Sequence, residues 1–332
     1  MIDSVSGRRG AILMLHQIRE DSLAQCNPNR TLAVAPEFFG ELAEWVEQSD
    51  YDVIPIGAVS ERLERMNRGE KLPPFLVFTF DDGYLDNFEA AAPVLRHHKL
   101  PYTIYVATGL LEGTANLWWA ALEWVLEAKD RVTIDFGSGA QTFSCERTKA
   151  KCDLFDRLMH HCQFVLTERE QRAFVNEFCH QHEVDIDALS RVEMMTMEQV
   201  RELSQDPLCT IGAHTVNHYS LGRLDEDQAR KEMRAGAEVL AAVTGQRPLH
   251  FAYPYGNPHA ATSREFALAQ ELGFATAVTT RKGALYQGHS NHLYALPRVS
   301  INGYYQSLSF TKHWITGVPA LIHNYGRKVN VT

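Results

Sequence analysis

Two acidic residues closing one apolar run, and two histidines four positions apart far downstream, are the side chains in this sequence best suited to chemistry. Phe75-Leu76-Val77-Phe78-Thr79-Phe80 is β-branched and aromatic enough for a buried strand, and it stops at Asp81, Asp82 and Gly83. Cys209-Thr210-Ile211-Gly212-Ala213 is a second apolar strand, and it runs into His214-Thr215-Val216-Asn217-His218. A third block, Phe251-Ala252-Tyr253, leads into Pro254-Tyr255-Gly256. Two neutral imidazoles and a carboxylate form an N, N, O ligand set that leaves coordination positions open for water and substrate. An ion so held lowers the pKa of its water toward ~7 and polarises a carbonyl. Ligand type favours one divalent ion, Zn2+ first, with iron, cobalt, nickel and manganese also compatible. Taken alone, Asp-Asp-Gly is usually a solvated turn and a histidine pair usually caps or packs. Their joint occurrence at strand ends argues against both bland readings, because α/β folds place their chemistry there.

The elements that would position these residues alternate. Residues 11–18 read as a first buried strand ending on His16, residues 36–49 as a helix, and residues 53–56 as a short strand. After the acidic pair, residues 86–98 carry a helical apolar face in which Pro93 marks a kink or a late start, and residues 102–107 form the next strand. Strand, helix, strand with short links predicts a parallel sheet with helices outside it. From about residue 109 to 192 the rhythm breaks. An amphipathic helix over 117–126 carries Trp118, Trp119 and Trp124. A hairpin over 132–144 and two helices, around 148–165 and 168–182, follow it. This stretch reads as an insertion within a single domain spanning residues 1–332, shaping specificity rather than chemistry. Beyond it, Thr196 with Gln199 and Asp225 with Gln228 predict capped helices, Gly245 a helix stop, and residues 249–253, 263–272 and 274–278 a strand, a helix and a strand.

Length and composition bound the rest. A chain of 332 residues, 45% hydrophobic and 22% charged, buries a sizeable core. A formal charge of −9 gives no global attraction to nucleic acid or to anionic membranes. The six cysteines lack a Cys-x-x-Cys pair and read as reduced, mostly buried thiols. The polar N-terminus and the short apolar run after it do not make a signal segment, and no run of apolar residues is long enough to span a bilayer, so a soluble cytoplasmic protein is expected.

Thr-Phe-Asp-Asp-Gly-Tyr at 79–84, His-Thr-x-x-His at 214–218 and Pro-Tyr-Gly at 254–256 together resemble the motifs of the polysaccharide deacetylase (NodB-homology) family, carbohydrate esterase family four, in the family's order and across most of the chain. The resemblance implies an α/β fold, an incomplete (β/α)7 barrel with an inserted α+β segment. It implies a metal triad of Asp82, His214 and His218, with Asp81 as general base, and an oxyanion donor in the backbone N–H of Tyr255, next to Pro254. The chain departs from the commoner pattern in two places. The usual late Leu-x-His is Leu296-Pro297-Arg298, and the arginine usual before Pro-Tyr-Gly is replaced at Ala252 or Tyr253. A variant subgroup with an early strand-end histidine and a late Pro-Arg is similar, which implies His16 as the acid and Arg298 as the partner of Asp81. His289 and His292 lie in a polar loop with no strand to position them.

The expected function is a metal-dependent hydrolase removing an N-acetyl group from an amino sugar in an intracellular glycan precursor, whether lipid-linked, nucleotide-linked, lipopolysaccharide or capsule. A cytoplasmic hydrolase of a non-sugar C–N bond is the alternative. A binding module without catalysis is disfavoured by the intact base and triad. The expected partner is an N-acetylated sugar, with no nucleic acid and no transmembrane segment; peripheral contact with a lipid-linked substrate fits the same reading. Trp118 and Trp119 are expected beside the substrate, although helix-spaced aromatics more often form core.

Overall fold

The computed structural model describes residues 7–20 and 29–331; Met1–Ser6 and Cys26 lie outside the described residues. Seven parallel strands follow one another around a closed ring: β1 (Arg8–Leu15), β2 (Phe75–Phe80), β3 (Tyr102–Val106), β4 (Cys209–Ala213), β5 (His250–Ala252), β6 (Thr276–Lys282) and β7 (Leu296–Ser300). Each pairs with the next, and β1 closes the ring by pairing with both β2 and β7. The seam between β4 and β5 is thin, held at the single pair Phe251↔Ala213.

Alternation along the strands divides the core into two shells. Leu76, Phe78 and Phe80 face the outer helices with Phe38, Phe39 and Leu42, while Phe75 and Val77 point into the barrel with Ile12, Tyr105 and Leu296. Being buried on both faces, these strands read as continuous apolar runs rather than as alternating ones, which is why β2 is conspicuous in the sequence.

Two strands differ from the sequence reading. Residues 53–56 do not join the ring. Only Asp52–Val53 pairs, as an edge on β2, and Pro55 then leads into a 3-10 turn at Ile56–Ala58. The seventh ring member is instead β7, whose Pro297 argues against a central strand on sequence alone. The fold accommodates it where the β6–β7 ladder is irregular, between the pairs Val278↔Leu296 and Lys282↔Arg298.

The stretch between β3 and β4 builds a second apolar cluster of its own. Helix Trp118–Ala128, the hairpin of Arg131–Asp135 with Ala140–Ser144, and helices Thr148–His160, Glu168–Gln181 and Ile186–Glu193 pack around Leu122, Leu126, Phe155, Leu158 and Phe178. Thr167 and Thr196 each close a complete capping box; Asp225 accepts from the Gln228 N–H, and Gly245 ends its helix at φ 76°. Cys145, Cys162, Cys179 and Cys209 are free thiols, but Cys152 is disulfide-bonded, so the reading of all six cysteines as reduced does not hold.

Candidate active site

Strand register brings the chemistry together at one mouth of the barrel. Leu15 pairs with Phe80 at the ends of β1 and β2, so the next residues, His16 and Asp81, emerge side by side. Val106 pairs with Ala213, and Ala213 with Phe251, which sets His214 and the Pro254-Tyr255 turn on the same rim. Asp81 continues the inward parity of Val77 and Thr79, whereas Asp82 takes a left-handed φ of 76° and turns away from that alternation. Thr215 (68°), His218 (53°) and Tyr255 (61°) are left-handed as well, so backbone strain concentrates at this rim.

Asp82, His214 and His218 are buried and offer one ligand atom each within 4.8 Å of one another. Asp82 Oδ1 lies 3.2 Å from Nε2 of both histidines. The His214 Nδ1 is 2.7 Å from the Ala252 carbonyl, so Nδ1 carries the proton and the Nε2 lone pair faces Asp82. Asp82 Oδ1 is buried and meets no hydrogen-bond donor. A buried carboxylate oxygen facing imidazole lone pairs is costly unless a cation lies between them, and the donor set therefore fits a divalent metal. Burial by itself pushes the Asp82 pKa up, but the electrostatic influence of the neighbouring His218 and His214 outweighs it and holds the carboxyl well below its usual value.

The histidine loop is braced from two sides. Glu232 Oε2 accepts from the Val216 and Asn217 N–H groups at 3.2 and 2.9 Å, and Oε1 accepts from Asn217 Nδ2 at 2.6 Å. Arg172 donates to the Asn217 carbonyl at 2.8 Å from helix Glu168–Gln181, while Thr215 Oγ1 accepts from the His218 N–H at 3.0 Å. Gly236 makes the close approach feasible, since a Cβ there would stand 2.6 Å from the Thr215 carbonyl oxygen.

Asp81 is clamped by Arg298, which reaches across the barrel from β7. Nη1 donates to Oδ1 at 2.7 Å and Nη2 to Oδ2 at 2.6 Å, a bidentate fork. Nε donates to the Thr279 carbonyl at 2.9 Å and Nη1 also to Thr79 Oγ1 at 3.1 Å, and Arg298 is 1% exposed. Burial raises the Asp81 pKa, but Arg298 more than offsets it, with help from His214 and His16, and keeps the carboxyl below its ordinary value. His16 Nε2 stands 3.9 Å from Asp81 Oδ2. Burial lowers the His16 pKa against the opposing pull of Asp82 and Asp81.

A cavity of about 290 Å³ opens over these groups, lined among others by His16, Asp81, Asp82, Trp118, Trp119 and Tyr255. Both tryptophans are buried and face the cavity at the same time. Trp118 Nε1 donates to the Tyr255 hydroxyl at 3.0 Å, Trp119 Nε1 to the Tyr84 hydroxyl at 2.9 Å, and the Trp119 ring lies 4.9 Å from that of His218. The Tyr255 carbonyl accepts from Thr280 Oγ1 at 2.5 Å, and among the described residues its N–H meets no acceptor. Pro254 is buried immediately before it. The sequence reading gave no role to Thr79, although it opens the motif at 79–84, and missed Arg172, Glu232 and Thr280, which act through other residues and carry no local motif. His289, read as a loop residue, is wholly buried in the turn Gln287–Asn291, where its Nδ1 accepts from the Tyr286 N–H at 2.9 Å.

The polysaccharide deacetylase family model matches residues 68–277, a stretch that contains Asp81, Asp82, His214, His218 and Tyr255 but neither His16 nor Arg298. A segment of 108 residues is 29% identical to YxkH of Bacillus subtilis, which carries the polysaccharide deacetylase name; it covers 32% of this chain and 37% of that protein. Among solved structures, the deacetylase PplD of Streptococcus pyogenes, in complex with acetate, superposes with a TM-score of 0.59 at 20% identity over 92% of this chain and 97% of that one. IcaB of Ammonifex degensii gives 0.55 at 17% over 93% and 98%, and a de-N-acetylase of Aggregatibacter actinomycetemcomitans 0.55 at 14% over 92% and 98%. At these identities the structural likeness is one of fold.

Proposed function

The chain belongs to the polysaccharide deacetylase family, and from that premise we propose that it hydrolyses the N-acetyl group of an amino sugar with one divalent ion held by Asp82, His214 and His218. The observation that carries the reading is the buried Asp81–Arg298 fork set beside that ligand triad in one cavity. When bound, the ion, Zn2+ by ligand type, supplies Lewis-acid polarisation of the acetyl carbonyl and acidifies water. Asp81, kept ionised by Arg298, accepts the proton of the attacking water. The Tyr255 N–H donates to the carbonyl oxygen as negative charge develops on it. His16, whose Nε2 stands 3.9 Å from Asp81 Oδ2, delivers a proton to the leaving nitrogen. Trp118 fixes the Tyr255 ring, and with Trp119 supplies an apolar wall for the sugar.

The substrate we assign is an N-acetylated amino sugar in a glycan precursor within the cytoplasm: lipid-linked, nucleotide-linked, lipopolysaccharide or capsule. Among the described residues no helix is long and apolar enough to cross a membrane. Alkylation trapping of thiols in intact cells tests the compartment. The activity is tested by acetate release from N-acetylated sugars, with metal content measured on the same sample. Metal-loaded protein that releases no acetate from any N-acetylated sugar refutes the reading.

A further inference from the structure

All 41 acidic residues of the chain precede position 272, whereas six of its 32 Lys and Arg lie in residues 272–332. Arg298 and Arg281 are spent inside the fold, the first on Asp81 and the second on the Ala261 carbonyl at 2.8 Å. Lys282, Lys312, Arg327 and Lys328 are exposed, and among the described residues none of them pairs with a carboxylate. Lys312 lies over the Trp45 ring instead, 4.9 Å from its centre, and Lys328 over that of Tyr286 at 5.5 Å. The same stretch carries exposed apolar bulk: Tyr304 is 55% exposed, Tyr305 54%, Ile322 75% and Tyr325 94%. Tyr305 stacks on Phe310 with ring centres 4.2 Å apart, and both line a cavity of about 70 Å³ together with Lys282. Asn324 Nδ2 donates to the Lys282 carbonyl at 2.8 Å, which ties the turn bearing Tyr325 into the same group. This face borders the catalytic mouth. Ser300 lines both the small cavity and the catalytic one, and Arg30, 5.4 Å from the Tyr304 ring centre, follows Asn29 of the catalytic lining.

Bare aromatic and aliphatic groups gathered on one face mark a contact surface, and their charged neighbours select the partner. Screening at physiological salt confines each charge to a reach of ~8 Å, so the net −9 of the whole chain does not cancel a local excess of cations. A second copy docked across a two-fold axis would oppose these cations to themselves, and the sealed centre of a protein interface is depleted of lysine. A bilayer surface matches both components, since tyrosine rings settle at headgroup level while Lys and Arg meet anionic headgroups. We propose that Tyr304, Tyr305, Ile322 and Tyr325, with Lys282, Arg327 and Lys328, form a docking face for an anionic lipid bilayer. Docking there sets the barrel mouth beside the membrane, and among the carriers assigned above for the N-acetylated sugar it selects a lipid. That last step rests on the deacetylase reading; the docking face itself does not.

The test is cosedimentation of the purified chain with vesicles of phosphatidylcholine alone and of phosphatidylcholine with about one-third phosphatidylglycerol, at about 0.1 M and about 0.5 M salt. Two variants accompany it, one combining Lys282→Gln, Arg327→Gln and Lys328→Gln, the other Tyr304→Ser, Ile322→Ser and Tyr325→Ser. Melting temperature, sedimentation velocity without vesicles, and acetate release from soluble N-acetylated sugars are measured on all three proteins. The parent should bind the anionic vesicles at least roughly ten-fold more tightly than the neutral ones, and the higher salt should remove most of that preference. At about five-fold for each cation, the charge variant should lose on the order of 100-fold, and the apolar variant about ten-fold. Both should melt with the parent, because the replaced side chains are exposed. No binding to anionic vesicles, equal binding to both kinds, or binding that neither variant weakens overturns the docking face. Loss of binding with a large fall in melting temperature in both variants overturns it too, as does a dimer that the apolar variant dissociates, which would assign the face to a second copy. Vesicle binding with no acetate released from any sugar removes the deacetylase reading and leaves the docking face standing; acetate release without vesicle binding does the opposite.

Discussion

Replacing Arg298 by methionine tests the link between the barrel's stability and its chemistry. Methionine keeps the length and apolar stem of arginine but removes the charge and every donor. Arg298 is buried, and its fork at 2.7 and 2.6 Å is the main influence that keeps the equally buried Asp81 ionised. Removing one partner of such a pair leaves an uncompensated buried charge, at a cost of about 3–5 kcal/mol. Asp81→Asn alone leaves a buried guanidinium short of its acceptor and should cost a comparable amount. The double variant carries neither charge, so its loss should fall short of the sum by at least ~2 kcal/mol, well outside the ~0.5 kcal/mol within which independent sites add. Urea unfolding of the four proteins measures the cycle, and acetate release is followed on each. Turnover should be low in all three variants, the double one included, because an asparagine at 81 accepts no proton. Additive stabilities would refute the coupling, and a double variant that regained turnover along with stability would refute the role of Asp81 as base.

His16→Ala should leave metal content intact and lower kcat far more for an amide than for an activated acetate ester, whose leaving group needs no proton; equal losses on both substrates would make His16 structural. His214→Ala should lose the bound ion and activity together, whereas Asp81→Asn should keep the ion, and stoichiometric metal in the first variant would overturn the ligand assignment. Trp118→Phe, which deletes the donor 3.0 Å from the Tyr255 hydroxyl while keeping an aromatic ring, should raise KM with little change in melting temperature; unchanged kinetics would leave Trp118 as core alone. His250 and His289 are buried, with burial lowering each pKa from 6.5 to about 4. Their neutral forms are the folded ones, so stability should be complete above pH 6.5 and fall toward pH 4, by up to about 3 kcal/mol for each group. Replacing His250 by glutamine should flatten that slope, and an unchanged slope would exclude it as a source.

The residues that the structure gathers at the barrel mouth, Asp81, Asp82, His214 and His218, were legible in the sequence because each stands within a few residues of an apolar strand end, where strand geometry limits where a side chain can go. Asp82, His214 and His218 come from only two such ends, and the strands carrying them, β2 and β4, announce themselves by being buried on both faces. The motif order also implied the barrel. What the linear pattern could not carry was closure of the ring. Pro297 masks β7 as a strand, residues 53–56 looked the better candidate, and only the pairing of β1 with both β2 and β7 brings Arg298 onto Asp81 and sets His16 3.9 Å from it. Trp118 and Trp119 could not be sorted into core or cavity by helical spacing, because they are both: the second apolar cluster packs against the barrel mouth, so one ring can be buried and still form part of its wall. The braces on the histidine loop, Glu232 and Arg172, belong to helices to which the sequence reading gave no part in the site. Their roles depend on the packing of helices 226–244 and 168–181 against one loop, a contact between distant segments that no local pattern encodes.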